Sequence, residues 1–297
     1  MAKKLRLGIV GISPGNGHPY SWAAIFNGFD SVEMAACPYP TIQQYLSAQK
    51  FPEDFLNHLA TVDFVYTQDQ TESEKIARSS RIPNVCNSIE EMIPNVDGIL
   101  LARDDAESHY EMSLSFLRAS LPVFIDKPLA LNVEEGMKIL NEQQRDNQIY
   151  TCSSLRFSKE ILLSDEDKMK LGVIYSVEAS CPKYWNTYAV HILEPIIAQS
   201  PERGDLKSIE VVHNKDQSQA KVEWENLSGV FMTTGSTPSP FLYRFYGDKG
   251  MVEKRFTESF QPFKHSLLEF INMISDPKFE NIPREETLEI VRIISGK

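Results

Sequence analysis

The stretch whose reading decides the fold is Leu5-Arg6-Leu7-Gly8-Ile9-Val10-Gly11-Ile12-Ser13-Pro14-Gly15-Asn16-Gly17. Residues 5–11 form a short apolar run ending in glycine, the pattern of a strand buried on both faces of a parallel sheet. A turn rich in Gly, Pro and Asn follows, and 21–29 reads as a helix. Strand, glycine turn and helix in that order let the backbone approach a pyrophosphate. The N–H groups and positive dipole of the helix start then point at the phosphates. The spacing G-x-G-x-x-G is not met. Counting from Gly11, Ser13 holds the second glycine's place and Asn16 the third, while Gly15 and Gly17 come one or two places late. Two readings stay open: a phosphate cradle made by Gly11, Ser13, Gly15, Asn16 and Gly17, or a tight turn that needs positive φ.

Outward from this turn, strand candidates at 62–67, 83–86, 96–102 and 121–125 alternate with helices at 72–79, 89–93 and 104–119. The alternation predicts a doubly wound parallel sheet with right-handed crossovers. Residues 30–61 break the rhythm and read as an insertion. It contains a helix at 42–48 and a fragment, 34–37, that also suits a strand. After Pro128 the grammar changes. A helix at 133–143 is marked by Asn132 and two glutamates, a usual entry signal. Strand-like runs follow at 149–154, 173–180, 208–213, 220–224, 229–234 and 241–246, with helices at 191–198, 264–274 and 285–294. Consecutive strands joined by short turns predict a largely antiparallel open sheet covered by helices on one face. The fold class expected is α/β plus α+β, with domains at 1–128 and 129–297.

Composition bounds the partners. The chain has 297 residues, 42% hydrophobic and 24% charged, enough apolar material for two cores. A net charge of −11, with no basic run after the first few residues, argues against nucleic acid and anionic membrane surfaces. No apolar stretch approaches the roughly 18 residues of a transmembrane helix. The basic start, Met1-Ala2-Lys3-Lys4-Leu5-Arg6, runs straight into a strand pattern without an apolar signal core. Cys37, Cys86, Cys152 and Cys181 lie far apart with no CxxC. Buried thiols in a reducing cytoplasm are expected, rather than a disulfide framework or a zinc ribbon.

Three further positions carry chemistry. Asp69, past the end of the second strand, is placed either to bind the ribose hydroxyls of NAD, which would disfavour NADP, or to cap the 72–79 helix. Asp126-Lys127-Pro128 ends the fifth strand, where open α/β sheets bind ligands, so Lys127 can reach a substrate hydroxyl. In residues 184–195, His191 and Glu194 are three apart and share a helix face. His191 suits a general acid/base. A metal would need a third protein ligand, and none is nearby, so no metal is expected. Tyr184, Trp185 and Tyr188 suit a wall for a sugar ring or nicotinamide, or a core.

Taken together, the glycine turn, the K-P after the fifth strand and the His-x-x-acid helix some sixty residues later resemble one family. It is the glucose–fructose oxidoreductase / inositol dehydrogenase / MocA-like (Gfo/Idh/MocA) family of NAD(P)-dependent oxidoreductases. The resemblance covers essentially the whole chain, including Tyr246-Gly247-Asp248-Lys249-Gly250-Met251-Val252-Glu253. The family's E-K-P stands here as Asp126-Lys127-Pro128, and its G-x-H-x-x-D as Ala189-Val190-His191-Ile192-Leu193-Glu194. Arg156 matches an arginine after the central crossover strand. His109 matches a histidine of structural role, and Arg103-Asp104 replaces a Thr-Pro that contacts the cofactor. His18, Tyr20 and Trp22 either line an altered cleft or staple the first helix to the sheet. The resemblance implies a Rossmann-like first domain and hydride transfer between NAD or NADP and a sugar or polyol carbon. It implies Lys127 and His191 as catalytic residues from different domains, and Lys127 with Arg103 and the turn residues at the cofactor. Arg156, Tyr184, Trp185, Tyr188 and Glu194 would be at the substrate, with homodimers or homotetramers formed through the open sheet. Two alternatives on the same fold are a non-catalytic dinucleotide- or sugar-sensing protein and an NAD-dependent glycoside-cleaving enzyme.

Overall fold

The structure, a computed structural model, describes residues 3–297. Met1 and Ala2, the start of the basic hexapeptide, lie outside the described residues. Two compact units divide the chain. The first runs to Asp126 and adds Lys138–Thr151 and Ser259–Ile282, and the second comprises Lys127–Met137, Cys152–Glu258 and Pro283–Lys297.

The sheet of the first unit contains β1 (Leu5–Val10), β2 (Ala60–Tyr66), β3 (Asn84–Val85), β4 (Gly98–Leu101), β5 (Val123–Ile125) and β6 (Ile149–Tyr150). Their order is β3-β2-β1-β4-β5-β6, every pair parallel. This is the doubly wound order, and its reversal between β1 and β4 marks where such sheets bind ligands. One expectation is corrected here. The run 149–154 is not a strand of the second sheet: Ile149 and Tyr150 pair in parallel with Val123 and Phe124. A buried apolar pair reads alike in either sheet, and the edge of β5 takes it.

The helices are α1 (His18–Asn27), α2 (Ser31–Ala35), α3 (Pro40–Ser47), α4 (Gln70–Ser79), α5 (His109–Arg118), α6 (Val133–Asn141), α7 (Asp165–Leu171), α8 (Trp185–Gln199), α9 (Phe260–Ser275) and α10 (Arg284–Ser295). α1 begins before residue 21 because Pro19 sits in its first turn, where the missing N–H costs nothing. The insertion holds α2 and α3. Asp30 caps α2 by accepting from the N–H groups of Val32 and Glu33, which draws 31–35 into a helix rather than a strand. Pro94 splits the expected 89–93 helix into two 3-10 turns, Ile89–Glu91 and Ile93–Asn95. Trp22 of α1 stacks on Phe124 of β5 at 4.7 Å, and Phe124 packs against Phe270 of α9.

The second unit's sheet contains β7 (Ile174–Cys181), β8 (Leu206–Asn214), β9 (Gln217–Trp224), β10 (Ser228–Thr233), β11 (Phe241–Gly247) and β12 (Met251–Phe256), in the order β12-β11-β7-β10-β9-β8. All pairs are antiparallel except β7 with β10. Alternation sends Val177, Ala179, Ala220, Val222, Phe231, Tyr243 and Phe245 into a core with Ile192, Leu193 and Ile196 of α8. All four cysteines are buried free thiols. Among the described residues no helix is long and apolar enough to cross a membrane.

Candidate active site: a glycine turn and a lysine–tyrosine–histidine cluster

In the first unit, the turn after β1 is held by side chains that stand where glycines were expected. The Gly11 N–H donates to the Tyr66 carbonyl at 2.7 Å, which ties the end of β1 to β2. Gln68 grips Ile12 through both its amide atoms. Ser13 is buried, donates its hydroxyl to Asp104 at 2.6 Å and accepts the Asp104 N–H. Asn16 is buried too. Its amide donates to Asp126 at 2.9 Å, and its oxygen accepts the His18 N–H at the start of α1. His18 Nδ1 meets the same Asp126 oxygen at 2.5 Å. The side chains of Ser13 and Asn16 thus tie to residues following β4 and β5.

The turn can still receive a dinucleotide. Gly11 and Gly15 have φ of +82° and +81°, and a Cβ placed on Gly15 would meet nothing within 4 Å. The space beside the Gly15 Cα is therefore open, while its N–H is directed at the Tyr39 hydroxyl. The neighbouring Gly17 is closed: a Cβ there would strike Tyr39 and Ile42 of the insertion. The Tyr39 hydroxyl faces the Gly15 backbone, and burial raises its pKa. The residues present fit a dinucleotide at Gly15, with Tyr39 at the rim.

Around the turn, Arg103 lays its stem under Gly11 and pairs its guanidinium with Asp105. His109 is fully buried and donates from Nε2 to the Arg103 carbonyl at 2.7 Å, the structural role expected of it. Asp69 caps α4 by accepting the Thr71 N–H at 2.8 Å, and its carboxylate stands exposed past β2. Tyr20 and Trp22 are buried on α1 and staple it to its surroundings.

In the second unit, Lys127 is 3% exposed and its Nζ lies 5.4 Å from the centre of the Tyr188 ring. Tyr188 meets the His191 ring edge-on at 5.0 Å. His191 Nδ1 is 2.7 Å from the hydroxyl of Ser153, which also accepts the Leu155 N–H. Pro195 lies four residues after His191 inside α8 and has no N–H to give its carbonyl. The Tyr243 hydroxyl donates to that carbonyl instead, at 2.8 Å. Burial drives this phenol's pKa well above its ordinary value. Burial also raises the Cys181 thiol, against the opposing pull of Lys127.

Behind His191 sits a charge lattice. Glu194 is 2% exposed, accepts the Ser153 N–H at 2.7 Å and pairs with Arg156 at 3.5 Å. Arg156 also pairs with Glu286. Burial pushes the Glu194 carboxyl up to about 7, although Arg156 and the Ser153 N–H pull it down. Trp185 is buried and donates to the Ile294 carbonyl, while Tyr184 stands 55% exposed at the start of α8. Lys127, Tyr188 and His191 therefore come together, Arg156 and Glu194 brace Ser153, and Trp185 belongs to the core. Three residues escaped sequence reasoning: Ser153, Tyr243 and Lys183, whose Nζ lies 4.4 Å from the Tyr188 ring centre. Only Tyr243 left a signal, since Pro195 announces that the His191 carbonyl needs a donor. Among the described residues no group of three or more His, Cys, Asp or Glu is arranged to hold a metal ion.

Comparison with known proteins bears on the family and the fold. A protein of Synechocystis described as an uncharacterized oxidoreductase is 26% identical over 138 residues, spanning 42% of this chain and 37% of that protein. The chain thus covers little more than a third of that relative's length. The fold matches GenD2 from gentamicin A biosynthesis, solved in complex with NAD, with a TM-score of 0.72 at 12% identity over 100% of this chain and 95% of that one. It matches myo-inositol 2-dehydrogenase from Lactobacillus plantarum with a TM-score of 0.73 at 14% identity over 98% and 95%. Residues 5–154 match the model of an oxidoreductase family with an NAD-binding Rossmann fold. The chain belongs to that family, Gfo/Idh/MocA.

Proposed function

We propose that this protein is an NAD(P)-dependent dehydrogenase acting on a carbinol or carbonyl carbon of a sugar or polyol derivative. The observation that carries the reading is the approach of the Lys127 ammonium and the His191 imidazole to one ring, Tyr188, at 5.4 and 5.0 Å. A bound nicotinamide supplies the hydride chemistry, and the protein supplies position and electrostatics. The turn at Gly15 would hold the pyrophosphate. Asp69 takes the ribose hydroxyls and favours NAD, since a 2′-phosphate would meet its carboxylate. Lys127 hydrogen-bonds the reacting oxygen. His191 exchanges that oxygen's proton through Nε2, with Nδ1 engaged by Ser153. Tyr188 forms the wall beside them. Two proteins of the same fold, GenD2 in complex with NAD and a myo-inositol 2-dehydrogenase, support a nicotinamide cofactor and a polyol-like substrate.

The test is NADH formation over a panel of polyols and aldoses. Lys127→Ala and His191→Ala should each lower turnover about 10²–10⁴-fold, the usual contribution of one proton-transfer group, with unchanged circular dichroism. Near-wild-type rates in both variants would overturn the reading. Buried free cysteines and the acidic charge suit a cytoplasmic protein. The outer face of the second sheet is read as the contact surface for a second copy, giving dimers or tetramers.

A further inference from the structure

We propose that Tyr39, borne by the insertion between α1 and β2, binds the dinucleotide's pyrophosphate, its phenol donating a hydrogen bond to a phosphate oxygen. The inference rests on the dehydrogenase reading above and adds a binding residue to that same site. Three observations place the side chain. The Gly15 N–H is directed at the Tyr39 hydroxyl. The Tyr39 ring lies over Gly17, where a Cβ would meet it at 2.7 Å. The ring also packs against Tyr20 of α1, with ring centres 6.4 Å apart. Ring and hydroxyl thus span the turn from Gly17 to Gly15. The two late glycines have distinct uses: Gly15 turns the chain with φ +81°, and Gly17 makes room for a tyrosine.

A stiff segment presents this residue. Pro38 and Pro40 flank it, each with a fixed φ. Pro40 also keeps Tyr39 out of helical geometry, at φ −118° and ψ 80°. The Tyr39 carbonyl accepts the Ile42 N–H at 3.0 Å, at the start of α3. Little freedom is left to lose on binding a ligand. The ring contacts account for an aromatic side chain but not for its hydroxyl. Nearby, Tyr20 donates to Glu72 and Tyr45 to Ser21. The Tyr39 oxygen faces a donor instead, the Gly15 N–H, and its own proton meets no acceptor among the described residues. Burial above all, with Cys37, Glu72 and Asp104, raises this phenol's pKa, so the hydroxyl keeps its proton and stays a donor. A phosphate oxygen supplies the acceptor, and glycine turns before a helix are where such oxygens bind. The donor is neutral and requires no counter-charge. The carboxylates that act on it are engaged elsewhere, Glu72 by Tyr20 and Lys75 and Asp104 by Ser13.

The test compares wild type with Tyr39→Phe, which keeps the ring over Gly17 and removes only the hydroxyl. Calorimetric titration of the full chain uses NAD and ADP-ribose, which share the pyrophosphate. The variant should bind both about tenfold more weakly, the contribution of one hydrogen bond to a charged group. The ³¹P resonances of bound NAD should differ between the two proteins, a readout that a purely structural tyrosine would not move, and the melting temperature without ligand should be the same. Equal affinity in the two proteins overturns the inference, as does tighter binding by Tyr39→Phe, which would make the phenol an obstruction. Weaker binding with unmoved ³¹P resonances also overturns it, because the contact then lies away from the phosphates. In each of these cases wild type binds NAD and the dehydrogenase reading stands. A wild type that binds neither ligand overturns both.

Discussion

Ser153 and Glu194 set how His191 behaves. Ser153 fixes one imidazole nitrogen, and Glu194 fixes Ser153 through its N–H. Ser153→Ala should therefore lower kcat about tenfold with KM nearly constant and should shift the pH profile of the rate, a signature of positioning rather than binding. Glu194 links the site to stability. Its carboxyl rises from 4.5 to about 7 on folding, mainly through burial. Between those values the folded chain holds a proton that the unfolded chain has released, so stability falls as pH rises through the window. Urea unfolding at pH 5 and pH 8 should show wild type losing about 1–3 kcal/mol more than Glu194→Gln over that interval. Equal losses would remove Glu194 as the cause. Lys127, Tyr188 and His191 were legible in the sequence because each sits in a short motif beside a strand end or on one helix face. Ser153 and Lys183 were not, because their partners lie 38 and 52 residues away in the chain (His191 and Gly235), and nothing local marks such pairings.

Individual elements repeat this division between local signal and distant partner. The alternation of strand and helix made β1 to β5 readable, since period and glycine position are local properties. The short β6 was not, because two apolar residues carry no period and only an edge strand decides where they pair. In the turn before α1 the unexpected Ser13 and Asn16 read as damage to a phosphate motif, yet their side chains tie to Asp104 and Asp126 and leave Gly15 open. Within α8, Pro195 removes the partner of the His191 carbonyl and Tyr243 replaces it. Tyr243→Phe would leave that buried carbonyl without its donor. It should cost about 1–3 kcal/mol in chemical denaturation and lower turnover, because the helix turn that carries His191 loosens. A variant as stable as wild type would show that the carbonyl finds another donor.

At the scale of the whole molecule, each unit has its own core and its own part of the chemistry. The first offers the glycine turn and Asp69, the second the cluster around Tyr188. On the second sheet the face away from α8 carries a row that crosses Met232, Ser180 and Leu242 on paired strands. An open antiparallel face with apolar side chains is stabilised by a partner. Sedimentation should show dimers or tetramers at micromolar concentration, and the double variant Met232→Glu, Leu242→Glu should sediment as a monomer. A wild type that is monomeric throughout would contradict the self-association. The central claim is that a nicotinamide dinucleotide sits on the open turn at Gly15. Its most direct test is calorimetric titration of wild type and Gly15→Val with NAD and NADP. One NAD should bind per chain, NADP about tenfold or more weakly because of Asp69, and Gly15→Val should abolish the heat of both. Absence of heat with either dinucleotide, or binding undiminished by the valine, would contradict the account.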